Sequence, residues 1–522
     1  MDDNKLKSLY FEITKSKSKP LDFWEISALL EIYGIRDIDA QNEYGFKDIF
    51  EMAQYLEKYK NEANYKSHPM AVFEKPPKFG IRIFRNYFKG LAFAMPMLVQ
   101  IFFTLVVGYA IWSGMEMDRE KATVIAMGTF LALLVSGGAA QAIGRKGLFY
   151  LKQKQYILAS MVTKSLIKIA LVIMVVVGVV MILFNMFFQI LPSYYFYILI
   201  MFYFLLTILF LNISVFQMFE EYYTIMWIFI IGIIFVYFFH TLKGIELPEA
   251  QFFALVLLNI LLTIYTFYRF YKLERISIGE GETVPRWSIM FFTLIPFYLY
   301  GFFYFGFLIM DRLIAWSTNI DGKPYFIWFD IPYEIGVDWA LIALILLMGM
   351  AEVSIYEFIY RINENITKFA YYDYKKFNET LKKGFYYKFN IFYLFFSIFI
   401  VLIVYWIMKE LYYNYHIEFL KNFFESYTPY IYWYASIGYV FLVHALINIL
   451  FIFSFSRQVF AVKAITMAVM INLILGIILS RSIDLEYAVI GLLIGSIVFW
   501  WFSFKYALRM FNRLEFYYYS AI

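Results

Sequence analysis

Twelve apolar runs, each long enough to cross a lipid bilayer, constrain this chain more than any other feature. They cover approximately residues 91–113, 123–144, 166–190, 194–216, 222–241, 250–271, 287–315, 336–358, 389–408, 428–454, 460–480 and 485–507. An α-helix rises about 1.5 Å per residue, so about 20 apolar residues span a hydrocarbon core about 30 Å thick. Of all residues 62% are hydrophobic and 16% charged, and the mean hydropathy is +0.65. Soluble domains hold roughly 45–50% apolar and about 25% charged residues, so a soluble fold of this composition would lack the polar groups to cover its surface. The predicted fold class is an all-α polytopic membrane protein with about 12 transmembrane helices, each satisfying its own backbone groups within the bilayer.

Residues 1–78 are different material. Leu21 to Tyr33 and Phe46 to Tyr59 carry apolar residues at helical spacing, with Gly34 and the run Asp37 to Gly45 reading as turns between them. A small cytoplasmic helical extension is expected, followed by a linker marked by Pro69, Pro76 and Pro77. The pair Asp37 and Asp39 has the spacing of a metal–nucleotide holder, but Asp also caps turns, and capping is the preferred reading. Ile81 to Phe88 alternates basic and large apolar residues and reads as an interfacial segment ahead of the first span.

Lysine and arginine crowd the even-numbered loops: Arg145 to Lys164, Lys272 to Arg286, Arg361 to Lys388, and Arg457 with Lys463. By the positive-inside rule both termini lie in the cytoplasm of a cell-membrane protein, and Arg361 to Lys388 is the longest cytoplasmic loop. The start of the chain is polar and does not read as a cleavable signal peptide. Residues 274–286, rich in Gly and Glu, divide the spans six and six. The expected organisation is an extension (1–78), a first six-helix bundle (79–273), a cytoplasmic linker (274–286) and a second bundle (287–522). Ser136 to Ala140 in span two, and Gly491 with Gly495 in span twelve, allow close helix approach; span two is also a helix able to bend or line a cavity.

The sequence also excludes. With no cysteine and four scattered histidines (His68, His240, His416, His444), it offers no zinc motif and no disulfide. There is no P-loop. The net charge of +5 resides in loops rather than on a soluble basic face, which argues against nucleic acid as a partner. No catalytic residue, cofactor or metal is expected, and the chain does not read as an enzyme.

Charges inside lipid-length runs are costly and are candidates for function. Asp311 and Arg312 are adjacent, so they project about 100° apart and each needs its own partner or water. They read either as a lipid-edge pair with Arg312 snorkelling outward or as a polar ring at a cavity mouth. Glu357 and Arg361 have the i, i+4 spacing of a helix ion pair, whereas Glu352 has no local partner and is the better cavity-facing carboxylate. His444 and Asn448 share a face and suit interhelical hydrogen bonding or, alternatively, a proton relay. Gln100, Gln141, Asn212, Asn259 and Asn472 read as helix–helix glue.

Four places, in order, resemble one family. They are Phe130 to Leu151, Met310 to Trp316 (with Asp311, Arg312 and Trp316), Phe329 to Pro332 followed by an apolar run and Glu357, and Arg513 to Tyr517. On these segments the chain resembles the Pel exopolysaccharide transporter (PelG-like) family, a Wzx-like branch of the multidrug/oligosaccharidyl-lipid/polysaccharide (MOP) flippase superfamily. The resemblance implies two six-helix, MATE-like bundles around a cavity with alternating access. It also implies a polysaccharide or lipid-linked glycan substrate, a cytoplasmic glycosyltransferase and membrane partner proteins. It carries Asp311, Arg312, Trp316, Asp330, Pro332 and Glu357 as motif residues without fixing their roles. The expected function is an inner-membrane polysaccharide or lipid-linked oligosaccharide flippase. The alternatives are a non-transporting scaffold for a polysaccharide synthase and a cation-coupled small-molecule antiporter. Asp311, Arg312, Trp316, Glu352, Glu357 and His444 are the cavity candidates.

Overall fold

The computed structural model describes residues 3–14, 20, 22–61, 78–115, 117–276, 287–318, 325–366, 368–369, 373–415, 424 and 426–520. By compactness the chain forms two units: Met1–Arg85 with Tyr356–Lys388 and Phe511–Tyr519, and Asn86–Ile355 with Phe389–Met510 and Ser520–Ile522.

The first unit begins with four short helices, α1 (Asp3–Thr14), α2 (Phe23–Ile32), α3 (Asp37–Tyr44) and α4 (Ile49–Leu56). Their apolar faces close on a core of Leu6, Tyr10, Ile26, Leu30, Met52 and Leu56, each 2% exposed or less. Asp22 and Asp48 cap α2 and α4 through the backbone amides of Glu25 and Glu51, satisfying donors that a helix start leaves open. The run Asp37 to Gly45, expected as a turn, is helical. Asp39 accepts from the Arg36 amide at its start and Gly45 stops it in the left-handed region at φ 71°. Asp37 accepts from the Ile49 amide, so both carboxylates of the Asp37/Asp39 pair serve as caps.

The twelve spans are α5 (Phe79–Val107), α6 (Arg119–Lys152), α7 (Tyr156–Phe188), α8 (Ser193–Met218), α9 (Tyr222–Tyr237), α10 (Leu247–Ile276), α11 (Trp287–Trp316), α12 (Ile331–Ile366), α14 (Tyr387–Tyr415), α15 (Thr428–Ser454), α16 (Gln458–Ser482) and α17 (Ala488–Phe511). The short α13 (Tyr374–Leu381) precedes α14, and α18 (Leu514–Tyr519) follows α17. The narrow breaks expected between spans three, four and five are real. Gln189 ends α7 at φ 46° and Pro192 precedes α8, while Glu220 at φ 60° separates α8 from α9.

Two further expectations change. Ile81 to Phe88 belongs to the continuous helix α5 rather than to a separate interfacial segment. The expected loop Arg361 to Lys388 is mostly helix, from the end of α12 through α13 and a π-helical turn at Lys382–Tyr386 into α14. Its apolar residues are the reason: Phe377, Leu381, Phe385 and Tyr386 are buried. Tyr386 stacks on Phe511 with centroids 4.4 Å apart, and Asn378 accepts from the Leu514 and Glu515 amides, capping α18. Of the expected linker, residues 277–286 lie outside the described residues.

In the second unit, α6 packs along α8, and α10 packs on α7, α8 and α9. One core joins Val99 of α5 to Leu262 of α10 through Phe202, Tyr203, Leu206 and Leu209 of α8. Polar residues tie these helices: Asn259 donates to the Leu205 carbonyl, Asn212 bridges Thr263 and Thr266, and Gln251 donates to the Ala110 carbonyl. The second six helices close similarly. Asn472 donates to the Phe307 carbonyl, and a Cβ on Gly491 would stand 2.8 Å from the Gly476 Cα.

A close seam joins the two sets of six at α6 and α11. Helices α6 and α11 run antiparallel in close contact, from Phe130 stacked on Trp316 at one end to Arg145 over the Phe297 ring at the other. Gly137 and Gly138 receive the Phe305 and Tyr298 rings, and a Cβ on Gly301 would stand 2.4 Å from the Gly137 carbonyl oxygen. The small residues of span two therefore serve close approach.

Candidate functional site

Helix α11 delivers Asp311 and Arg312 side by side, and they diverge as adjacent helical residues must. Asp311 is fully buried. Its Oδ2 accepts from the Tyr333 hydroxyl at 3.0 Å, while its Oδ1 has no hydrogen-bond partner. Arg312 turns the other way and meets Glu334 at 2.7 Å and Asp338 at 3.3 Å. It does not snorkel: its side chain is 12% exposed. Glu334 and Asp338 stand one turn apart on α12, so a single guanidinium reaches both. Tyr439 of α15, fully buried with an unpartnered hydroxyl, lies within the electrostatic reach of Asp311, Arg312, Glu334 and Asp338.

The set therefore holds one cation and three carboxylates in lipid-length helices. With all three ionised the carboxylates would exceed the cation by two, and among the described residues the Asp311 Oδ1, the Glu334 Oε1 and the Tyr439 hydroxyl have no hydrogen-bond partner. Buried charge persists only when paired or neutralised, so the arrangement suits a group that takes up and releases a proton or a small cation. Among the described residues, no three or more His, Cys, Asp or Glu side chains are grouped to hold a metal ion.

The ends of the helices fix this set in place. Asp330 accepts from the Tyr333 amide at 3.0 Å and from the Tyr427 hydroxyl, capping α12, whose second residue is Pro332. The Asp–Ile–Pro motif is thus a helix start, Asp supplying the acceptor and Pro the preset φ. At the end of α11, Arg481 of α16 donates to the Ile314 and Ser317 carbonyls and to the Thr318 hydroxyl. A cation there satisfies the open carbonyls and complements the helix dipole.

The other candidates fall elsewhere. Trp316 is fully buried between Phe130 and Phe329, its indole nitrogen unpartnered. His444 exchanges a hydrogen bond with Asn390 at 3.0 Å and packs on Tyr393, while Asn448 donates to the Ser503 hydroxyl, so each takes part in interhelical bonding. Glu352 has a partner after all: Lys89 of α5 reaches it at 2.7 Å, and both side chains are partly exposed. Beside this pair, a Cβ on Gly90 would stand 2.8 Å from the Gly349 carbonyl oxygen, and Tyr87 donates to the Leu346 carbonyl. In the first unit Glu357 is held by Arg82 through both carboxylate oxygens, with Arg361 at 3.7 Å as a second, looser partner.

Sequence reasoning missed Glu334, Asp338, Tyr333, Tyr439, Arg82, Lys89 and Arg481. Glu334 and Asp338 had a usable signal, two acids at i, i+4 just after a helix-starting Asp–x–Pro. A groove of about 840 Å3 lies at the α7–α8 turn, lined by residues such as Asn185, Gln189, Tyr197 and Tyr325, and its lining holds none of the charges above.

Neither protein-family models nor curated proteins match the sequence. Solved structures match its fold. A MATE protein in its straight conformation superposes with a TM-score of 0.56 at 12% identity, covering 83% of this chain and 96% of its own. A MOP superfamily transporter from Pyrococcus furiosus gives 0.54 at 14%, with the same coverages of 83% and 96%. An outward-facing MATE family transporter of the MOP superfamily gives 0.51 at 14%, again covering 83% and 96%. The chain has the MATE-like, MOP-type fold.

Proposed function

We propose that the protein is a membrane transporter that moves an exopolysaccharide or lipid-linked oligosaccharide by alternating access. Its coupling centre is the charge set of Asp311, Arg312, Glu334 and Asp338. The observation that carries this reading is the buried excess of carboxylate, with unpartnered oxygens on Asp311 and Glu334. A helix bundle needing only stability gains little from such a set, because well-packed apolar residues in place of a buried ion pair are often as stable or more so. The MATE-like fold supports the transporter class, and the PelG-like motif series supports the glycan substrate. The loop charges favour the cytoplasmic membrane with both termini inside, and the basic segments suit a cytoplasmic glycosyltransferase as partner.

The test is a deletion strain carrying wild type, Asp311→Asn or Glu334→Gln at equal membrane abundance. Polymer or lipid-linked glycan export should disappear on deletion, return with wild type and fall at least about tenfold with either variant. Normal export without the protein would sink the reading. The scaffold reading has one observation in its favour, the separate core of α1–α4 with Trp24 and Phe50 part-exposed on its surface. A scaffold should recruit its synthase and tolerate both neutral substitutions.

A further inference from the structure

The arginines within the spans differ in how they are satisfied. Arg85, Arg119, Arg275, Arg481 and Arg509 are exposed, and of those at least partly buried Arg82, Arg269, Arg312 and Arg361 each meet a carboxylate. Arg145 meets none. Its Nη2 donates to the Ser456 hydroxyl at 3.1 Å and its guanidinium lies over the Phe297 ring at 5.6 Å, both neutral partners. Lys146 beside it lies over the Phe149 and Tyr150 rings. No carboxylate pairs with either side chain among the described residues.

The surroundings are equally specific. Arg145 is half-buried and follows directly on the apolar run that ends at Gly144. That level of a spanning helix is the margin of the hydrocarbon, where lipid phosphates lie. A Cβ on Gly144 would meet nothing within 4 Å, so the backbone beside the guanidinium faces open space. Gln141, one turn earlier on the same helix face, is part-exposed and its amide makes no hydrogen bond among the described residues, although the other polar residues expected as glue are bonded. Arg145 stands on the seam between the two sets of six helices, against Phe297 of α11 and the turn joining α15 to α16.

We infer that Arg145, supported by Lys146 and Gln141, is a binding site for a lipid-borne phosphate at the seam of α6 and α11. A guanidinium with free donors binds phosphate through paired, charge-assisted hydrogen bonds, and a neighbouring ammonium adds a point charge. The inference rests on the transporter reading for its meaning, because the phosphate would be that of a lipid-linked glycan entering the seam. A resident anionic lipid offers the same chemistry.

Binding, rather than transport, tests it. The full chain in phosphatidylcholine nanodiscs is titrated with farnesyl diphosphate, inorganic pyrophosphate or phosphatidylglycerol, reading intrinsic tryptophan fluorescence and competition. Wild type should bind farnesyl diphosphate saturably. Arg145→Gln should weaken that binding roughly ten- to hundredfold, Arg145→Lys by less than about fivefold, and the exposed control Arg85→Gln not at all. Competition by inorganic pyrophosphate assigns the contact to the phosphates. Arg145-dependent binding of phosphatidylglycerol alone upholds the phosphate site and assigns it to a resident lipid. Unchanged binding in a folded, monodisperse Arg145→Gln protein, or no saturable binding of any probe, overturns the inference. If export proves independent of the protein while binding still depends on Arg145, the transporter reading fails alone.

Discussion

Replacing Arg312 with glutamine removes the sole cation from a set of three carboxylates, of which Asp311 and Glu334 are buried and Asp338 is part-exposed. Glu334 and Asp338 then face one another without a counter-ion, and breaking a buried pair in this way costs about 3–5 kcal/mol. Arg312→Gln should therefore lower the thermal midpoint of the detergent-solubilised protein. Arg312→Gln combined with Glu334→Gln should recover much of the loss, because the second change removes the orphaned charge. A double variant no more stable than the single one would show that the pair is not the source of the loss. The set also marks where sequence reading stops. Asp311 and Arg312 stood out because charge in an apolar run is conspicuous. Their partners did not, because the register that brings Glu334 to Arg312 belongs to packing between two helices. In the sequence Glu352 has no local partner because Lys89 lies 263 residues away, and the i, i+4 spacing points Glu357 to Arg361 because Arg82 lies 275 residues away.

Helix boundaries were more legible than helix partners, since they depend on local chemistry. Pro192 and the Asp–Ile–Pro motif punctuate the chain whatever surrounds them. Helix α1 escaped notice because its apolar residues become a face only against α2 and α4, and α13 because Phe377 and Leu381 are sparse among charges. The attachment of α1 makes an element-scale prediction. Asp3 accepts from Lys58 at 2.7 Å and from the Tyr55 and Tyr59 hydroxyls, tying the start of α1 to the end of α4 and the 3-10 turn Glu57–Asn61 that follows it. The Lys58 ammonium foremost, then the two tyrosine hydroxyls, hold the Asp3 carboxyl down at about 2. An unfolded aspartate titrates near 3.9. A depressed folded value means that the contribution is complete above about pH 4 and lost as pH falls through about 2. Amide exchange in α1 should accelerate, relative to α2, as pH drops from 4 toward 2. Asp3→Asn should abolish that extra acceleration while exchanging faster at neutral pH. An identical pH profile in the variant would remove Asp3 from the account.

At the scale of the whole molecule, alternating access requires the two sets of six helices to part at one end while meeting at the other. The seam of α6 and α11 is built from backbone approach and aromatic rings inserted at Gly137 and Gly138, contacts that tolerate little sliding. The contact between α5 and α12 has a different character. Lys89 and Glu352 are part-exposed, and an exposed ion pair is worth about 1 kcal/mol or less, so it opens at small cost. The Gly90–Gly349 approach beneath it lets the helices close fully when they do meet. This pair is thus suited to act as a latch between the halves. The chain contains no cysteine, so a pair placed at Lys89→Cys and Glu352→Cys would be its only thiols. Beside this pair the backbones themselves approach, a Cβ on Gly90 standing 2.8 Å from the Glu352 Cβ, which brings the adjoining position 89 near a bridge with 352. Oxidation should form the bond readily, halt export in vesicles and be reversed by reductant, while each single variant keeps most of its activity. Full export with the bridge quantitatively formed would mean that α5 and α12 never separate here. The moving contact would then have to be sought along α6 and α11, at the glycines that now hold the seam shut.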